Sequence, residues 1–311
     1  MAQVADEKAK EKTPEVETWG LRPGDEIDDT LVVLEDLGGG HRYEVFRAWD
    51  RVLFCQVAVK VVRPHRVQSD RTINGLDREA SIAARLAHPN LVRLLRTRIE
   101  GARPYIVLEL ITAQTVMDHL RDVGPVSVPE MCLLGIRMLS ALHYMHSQRV
   151  LHLDLKPSNL TMGAPPRLLD FSLARVFAGP VRMRDTIGTR AYMPPEQCTH
   201  GLATPASDVF GLGATMYEAL TAIQPYRDGD RTSKVREERY PQLVEDPEPI
   251  RDVVPVVPRA LEEVIMRSLE RDPAHRPNTV EAAIALQKVL EDLNIKELFA
   301  WPKGTKVRPK G

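Results

Sequence analysis

The chain has 311 residues, 43% of them hydrophobic, which suffices to bury a large core as one big domain or two lobes. Lys+Arg 42 against Asp+Glu 43 gives a formal net charge of -1, so there is no global field for gripping nucleic acid or an anionic membrane, and a polyanion-binding role is disfavoured. Cys55, Cys132 and Cys198 are scattered, without Cys-x-x-Cys spacing; this argues against a disulfide framework or zinc site and predicts small buried or half-buried hydrophobes in a reducing cytoplasm.

Residues 1 to 18 are rich in Lys, Glu and Ala, with no apolar period strong enough to dock, and read as a disordered charged tail. No apolar run approaches a membrane span and the N-terminus is charged where a leader peptide needs an apolar core, so a soluble chain is expected. From Leu31 the pattern turns to β-rich runs, Leu31 to Leu37, Tyr43 to Trp49 and Phe54 to Val62, an antiparallel meander. A helix is expected over roughly Asp70 to Leu86, closed by His88-Pro89-Asn90. Strands follow at Leu91 to Ile99 and Tyr105 to Leu110, making a small first lobe of sheet plus one helix.

Beyond Thr112 apolar residues recur every three or four positions, predicting helices over Pro129 to His146, Ala206 to Leu220, Arg259 to Leu269 and Asn278 to Leu293. Met131, Leu133, Leu134, Met138, Leu142 and Met145 fall at helical spacing and are expected in the core. Six prolines in Gln224 to Pro258 predict an irregular segment with a short helix near Lys234 to Glu238. Lys303, Lys306, Arg308 and Lys310 make the end of the chain a solvated basic tail.

Two stretches carry chemistry. In Leu37-Gly38-Gly39-Gly40 followed by Val45 and Val57-Ala58-Val59-Lys60, glycines lie on a strand-to-strand turn just before a strand that carries a lysine. Glycine there lets backbone N–H groups approach phosphate oxygens, although a three-glycine hairpin explains Gly38 and Gly40 equally well. An inward-facing ammonium needs an anion, and Glu79 on the following helix is the carboxylate at hand; a surface lysine and a solvated glutamate are the bland alternative. In the second stretch, His152 to Asn159, an acid, a cation and an amide metal ligand share one loop. Asp154 can orient a hydroxyl nucleophile, Lys156 can offset charge on a moving phosphoryl group, and the Asn159 amide oxygen can hold magnesium.

Taken together with Asp170-Phe171-Ser172, Gly188-Thr189, Pro194-Pro195-Glu196, Asp208 and Arg276, these stretches make the chain resemble the eukaryotic-like (Hanks-type) serine/threonine protein kinases of bacteria over roughly Gly20 to Leu290. The resemblance implies an α+β bilobal kinase fold: a small antiparallel β lobe with one helix over 19–111, a larger mainly helical lobe over 112–293, and a basic tail over 294–311. It implies ATP and Mg²⁺, with Mn²⁺ as an alternative, bound between the lobes. Lys60 would contact the α and β phosphates while held by Glu79, and Asn159 and Asp170 would ligate the metal. Asp154 would orient the substrate hydroxyl with Lys156 near the γ-phosphate. Leu108 would be the gatekeeper, and Glu109 and Ile111 would offer backbone groups to an adenine walled by Leu37, Val45 and Ala58. His152 would pack against Phe171, Glu196 and Arg276 would form a buried pair, and Asp208 would receive catalytic-loop N–H groups.

The resemblance further implies protein substrates; the scattered cysteines suit a cytoplasmic location, the even charge balance gives no role to nucleic acid, and a separate regulatory protein is expected as partner because no sensor region accompanies the kinase-like one. Four positions depart from the family pattern. Tyr43 stands where a third glycine is usual, adding bulk near the phosphates. Leu153 replaces the arginine that grips a phosphorylated activation loop, so activity is expected not to depend on a phosphate on Thr186 read through this position; Thr189 is the threonine expected to orient Asp154. Ser172 replaces a glycine and is expected to bias the Asp170 segment toward one conformation. Thr161 falls where an apolar adenine floor is usual, implying a more polar surface. Tyr43, Leu153 and Ser172 leave a pseudokinase or scaffold as the alternative to a catalyst.

Overall fold

The computed structural model describes residues 17–182, 188–199 and 201–295, and its chain divides into two compact units. The first comprises residues up to Asp77 together with Leu95–Leu110; the second comprises Arg78–Leu94 and everything from Ile111 onward. The expected phosphosite Thr186, most of the N-terminal tail and the basic C-terminal stretch lie outside the described residues.

The first unit is built on a sheet of β1 (Glu26–Asp28), β2 (Leu31–Gly39), β3 (Tyr43–Asp50), β4 (Cys55–Val62), β5 (Leu94–Arg98) and β6 (Tyr105–Glu109), in the order β1-β2-β3-β4-β6-β5. Helix α1 (Asp70–Ala83) follows β4. Alternation along β3 and β4 sends Phe46, Ala48, Val57, Val59 and Val61 to one face, where they join Leu31, Val33, Tyr105 and Val107 in a single core. Trp19 and Leu21 cover this core from the N-terminal side. The indole Nε1 of Trp19 donates to Val62 O at 2.8 Å, and its backbone N–H donates to Glu44 Oε2 at 3.2 Å. The opposite face presents Tyr43, Val45, Ala58, Lys60 and Leu108, because Val45 pairs with Lys60 and Ala58 with Leu108 across the strands.

The second unit is mainly helical. Helix α2 (Val116–Asp122) starts in a capping box between Thr115 and Asp118, and α3 (Val128–Ser147) leads to the short β7 (Val150–Leu151). After the loop 152–159 come β8 (Arg175–Val176), β9 (Val181–Arg182), α4 (Pro195–Cys198) and β10 (Leu202–Ala203). β7 pairs with β8, and β9 with β10. Helix α5 (Pro205–Thr221) begins with a Thr204–Ser207 capping box and Pro205 in its first turn, and every residue from Ser207 to Thr221 is buried. α6 (Arg236–Arg239), α7 (Ile250–Val253), α8 (Arg259–Ser268) and α9 (Thr279–Asp292) complete it, with α9 capped by Asn278 and Glu281. α3 packs on α5 and α9, and α5 on α8.

Several details differ from the pattern-based expectations. The strand expected from Leu91 begins at Leu94, because Leu91 and Val92 instead pair with Leu168. Leu133 is only half-buried on α3, unlike its five expected partners, which are buried. Cys55 is exposed at the start of β4; Cys132 and Cys198 are buried, and burial pushes both thiols up to about 12, which keeps them protonated and inert.

Candidate active site

In the first unit, the β2–β3 connection is a tight glycine turn. Gly38 and Gly39 both have positive φ, +90° and +153°, and a Cβ on Gly39 would lie 2.3 Å from Tyr43 O. Gly39 is therefore the position where the fold requires glycine, a requirement that spacing alone did not single out. Gly40 has open space where a Cβ would sit, and its N–H donates to Tyr43 O at 3.0 Å. Leu37 is exposed beside the turn, and Val45, Ala58, Leu108 and Glu109 are half-buried, as is Ile111 in the second unit. Lys60 is buried on β4, and its Nζ lies 4.8 Å from the centre of the Tyr43 ring. Tyr43 OH donates to Thr72 O at 3.2 Å, so the ring is turned along the lysine-bearing face toward α1. Glu79 lies on the part of α1 that belongs to the second unit and is buried there.

In the second unit, one carboxylate collects the polar residues of the His152–Asn159 loop. Lys156 Nζ donates to Asp154 Oδ2 at 2.7 Å, and Asn159 Nδ2 donates to Asp154 O at 2.8 Å and Oδ2 at 3.1 Å. Lys156 Nζ also reaches Thr189 Oγ1 at 3.1 Å, and that hydroxyl lies 3.5 Å from Asp154 Oδ1. Because Asn159 spends its NH₂ on Asp154, its amide oxygen is the group left for a ligand. The backbone N–H of Leu169 donates to Asn159 O at 2.8 Å, which brings Asp170 alongside. Asp170 has φ +62°, and its Oδ1 accepts from Ser172 N at 3.1 Å. A small cleft beside Asp154 is lined by Leu153, Gly188, Thr189, Met193, Pro194 and Gln197.

Beneath the loop, Asp208 is fully buried and accepts from His152 N at 3.0 Å, Leu153 N at 2.8 Å and His146 Nε2 at 2.8 Å. Burial alone would raise its carboxyl, but the hydrogen bonds it accepts from His146 and from the His152 N–H hold it below the usual range. His152 packs edge-to-face on Phe171 with ring centroids 5.8 Å apart. Its Nδ1 accepts from Asp154 N, so Nε2 carries the proton donated to Leu169 O.

A family model, the protein kinase domain, matches residues 31–288. The chain belongs to the protein kinase domain family. The kinase domain is 29% identical over 262 residues to the serine/threonine-protein kinase PrkC of Bacillus subtilis, covering 83% of this chain and 40% of that protein. It is 31% identical over 251 residues to PkaA of Streptomyces coelicolor (77% and 44%) and 32% identical over 262 residues to PknB of Mycobacterium leprae (81% and 42%), both serine/threonine-protein kinases. The chain thus spans about two fifths of the length of these relatives. Family membership implies use of ATP and a divalent cation. No described helix is long and apolar enough to cross a membrane.

Three supports of the kinase domain lie around the loop. Arg276 donates to both oxygens of Glu196 at 2.8 Å and spends its remaining donors on Glu270 O, Ala206 O and Arg271 O. Gly211 on α5 lets that helix approach the loop, since a Cβ there would sit 3.1 Å from Leu155 Cβ. Tyr192 OH donates to the buried Glu218, whose carboxyl is raised by burial against the opposing effect of that bond.

Two expectations change. The Thr161 hydroxyl accepts from Arg167 N at 2.8 Å in a buried position, so it is consumed internally and does not offer a polar surface. Leu153 does more than omit a charge. It has φ +66° and joins Leu151 and Ala203 in an apolar cluster packed by Leu173, Phe177 and Val181, the last three from the segment after Asp170. The N-terminal Trp19 contacts, which lie outside the family match, carried no signal in the sequence pattern beyond a lone tryptophan.

Proposed function

We propose that the chain is an ATP-dependent protein serine/threonine kinase, transferring the γ-phosphoryl group of Mg·ATP to Ser or Thr hydroxyls of protein substrates and of its own chain. The observation that carries this reading is the convergence of Lys156, Asn159 and Thr189 on the single carboxylate of Asp154. Asp154 Oδ2 is occupied by Lys156 and Asn159, which leaves Oδ1, with its single long contact to Thr189, to receive a substrate hydroxyl. Lys156 is held between Asp154 and Thr189, where its ammonium can follow charge onto the transferred group.

Asn159 and Asp170 present hard oxygen donors side by side, a set that suits Mg²⁺, which is held by one or two protein oxygens plus substrate phosphates; Mn²⁺ suits the same donors. When bound, the metal offsets the charge of the phosphate oxygens. The backbone around Gly38 and Gly40 and the ammonium of Lys60 would form the phosphate grip, with Glu79 proposed as the carboxylate that balances the lysine. Leu37, Val45, Ala58 and Leu108 would flank adenine, and Glu109 and Ile111 would offer it backbone groups. The proposed lobes are 19–111 and 112–293, and the proposed setting is the cytoplasm, with a separate protein supplying regulation.

The test is transfer from γ-labelled ATP to a general protein substrate, in Mg²⁺ and in Mn²⁺, with phosphoamino-acid analysis. Label is expected on Ser and Thr, and lost in Asp154→Asn. Label no higher than in that control with either metal would favour a scaffold that binds without catalysis.

A further inference from the structure

The tip of the glycine turn and the one-turn 3-10 helix Pro64–Arg66 gather cationic groups that the phosphoryl-transfer reading does not use. His41 and Arg42 are exposed at the tip, His65 is exposed beneath them, and Arg63 and Arg66 are half-buried. Arg63 N–H donates to Arg42 O at 3.0 Å and its Nε donates to Gly40 O at 2.6 Å, so the two segments are tied together. The rings of His41 and His65 are 5.4 Å apart, and Arg66 Nη2 touches His41 Nε2. Against these five groups stands Glu44, which is buried and already paired with Arg63 at 3.4 Å. Among the described residues, Arg42, His65 and Arg66 have no carboxylate partner, and Arg66 Nε is buried without an acceptor.

Like charges held this close repel unless an anion joins them. The repulsion is visible at His41, whose ring is pushed below its usual range by Arg66 first and by His65, Arg42 and Arg63 in addition. Elsewhere the chain balances its charges almost evenly, so the local surplus is a departure from its general composition. Two guanidinium forks and two imidazoles present several donors from different directions, an arrangement that suits a doubly charged tetrahedral oxyanion better than a single carboxylate. We propose that His41, Arg42, His65 and Arg66 form a site for a phosphate-class oxyanion, either free or carried on a phosphorylated side chain of a peptide. The site is distinct from the nucleotide grip, which uses the glycine backbone and Lys60, and it does not depend on the chain being catalytically active.

The test uses the full chain as Asp154→Asn, with ¹³C-labelled histidine, and follows ring titrations by NMR while inorganic phosphate replaces chloride at matched ionic strength. The apparent pKa of His41 is expected to rise and saturate with phosphate, while that of His119, outside the cluster, stays fixed. A phosphoserine peptide should give the same rise and its unphosphorylated form none. Arg42→Gln and Arg66→Gln should each weaken the response by about tenfold or more, the scale of one charge-assisted hydrogen bond. Arg42 is exposed, so its substitution remains readable should Arg66→Gln disturb the turn. The response should persist with a saturating non-hydrolysable ATP analogue. An equal rise with acetate or at His119, no effect of Arg42→Gln, or loss of the response once the analogue is bound would each overturn the proposal.

Discussion

Asp208 holds Leu153 in a left-handed conformation: the Leu153 N–H, on a residue with φ +66°, donates to Asp208 Oδ1 at 2.8 Å. A non-glycine residue in that region costs roughly 1–2 kcal/mol, which the buried carboxylate offsets while also holding His152 and His146. The backbone entering Asp154 is set from a helix more than fifty positions later in the chain.

Asp208→Asn places an NH₂ group against backbone N–H donors and should cost about 2–4 kcal/mol in urea unfolding, with activity falling alongside. The pH dependence follows from the folded carboxyl lying below its unfolded value of 3.8. Its contribution is complete above that value and is lost as pH falls through the lower, folded one, so the difference between wild type and Asp208→Asn should shrink at acid pH.

Leu153→Arg, which restores the residue usual in the family, should destabilise rather than install phosphate sensing. The guanidinium would enter a cluster of Leu151, Ala203, Leu173, Phe177 and Val181 with no anion in it. A loss of about 2–4 kcal/mol is expected, and phosphatase treatment of the wild type should leave its turnover unchanged. A stable Leu153→Arg protein whose activity becomes phosphatase-sensitive would contradict this account.

Only the Arg276 side of the expected buried pair is buried, Glu196 being half-buried, so Arg276→Met leaves Glu196 beside Ser207 without its cation and should cost about 3 kcal/mol, the low end for a buried pair. The double variant with Glu196→Leu should recover part of that loss, because the uncompensated charge is gone. Thermal unfolding of the two single variants and the double variant measures the coupling.

Tyr43→Phe keeps the ring beside Lys60 and should leave nucleotide affinity near wild type, whereas Tyr43→Ala removes a contact of about 0.5–2 kcal/mol and should weaken it. Isothermal titration with a non-hydrolysable ATP analogue distinguishes the two. Tighter binding by Tyr43→Ala would instead support the view that Tyr43 obstructs entry.

The His152–Asn159 loop was legible because its polar residues are packed into eight consecutive positions, and the long helices were legible because their apolar period is strong. α3, α5, α8 and α9 fall within one or two residues of the expected bounds. Harder to read were features decided by partners distant in the chain. The direction of the Tyr43 ring depends on Lys60 and Thr72, the use of the Thr161 hydroxyl depends on Arg167, and the role of Leu153 as packing depends on Phe177 and Val181. Gly39 was passed over for Gly38 and Gly40 because composition marks three glycines alike, while only backbone geometry tells which one a side chain would block.

Single-turnover phosphoryl transfer by wild type and Asp154→Asn, measured beside nucleotide affinity, tests the central claim most directly. The account predicts that the substitution slows transfer by roughly 10²–10⁴-fold, the scale of a positioned general base, while nucleotide affinity holds. Equal transfer rates in the two proteins, or a loss traceable entirely to weakened nucleotide binding, would contradict it.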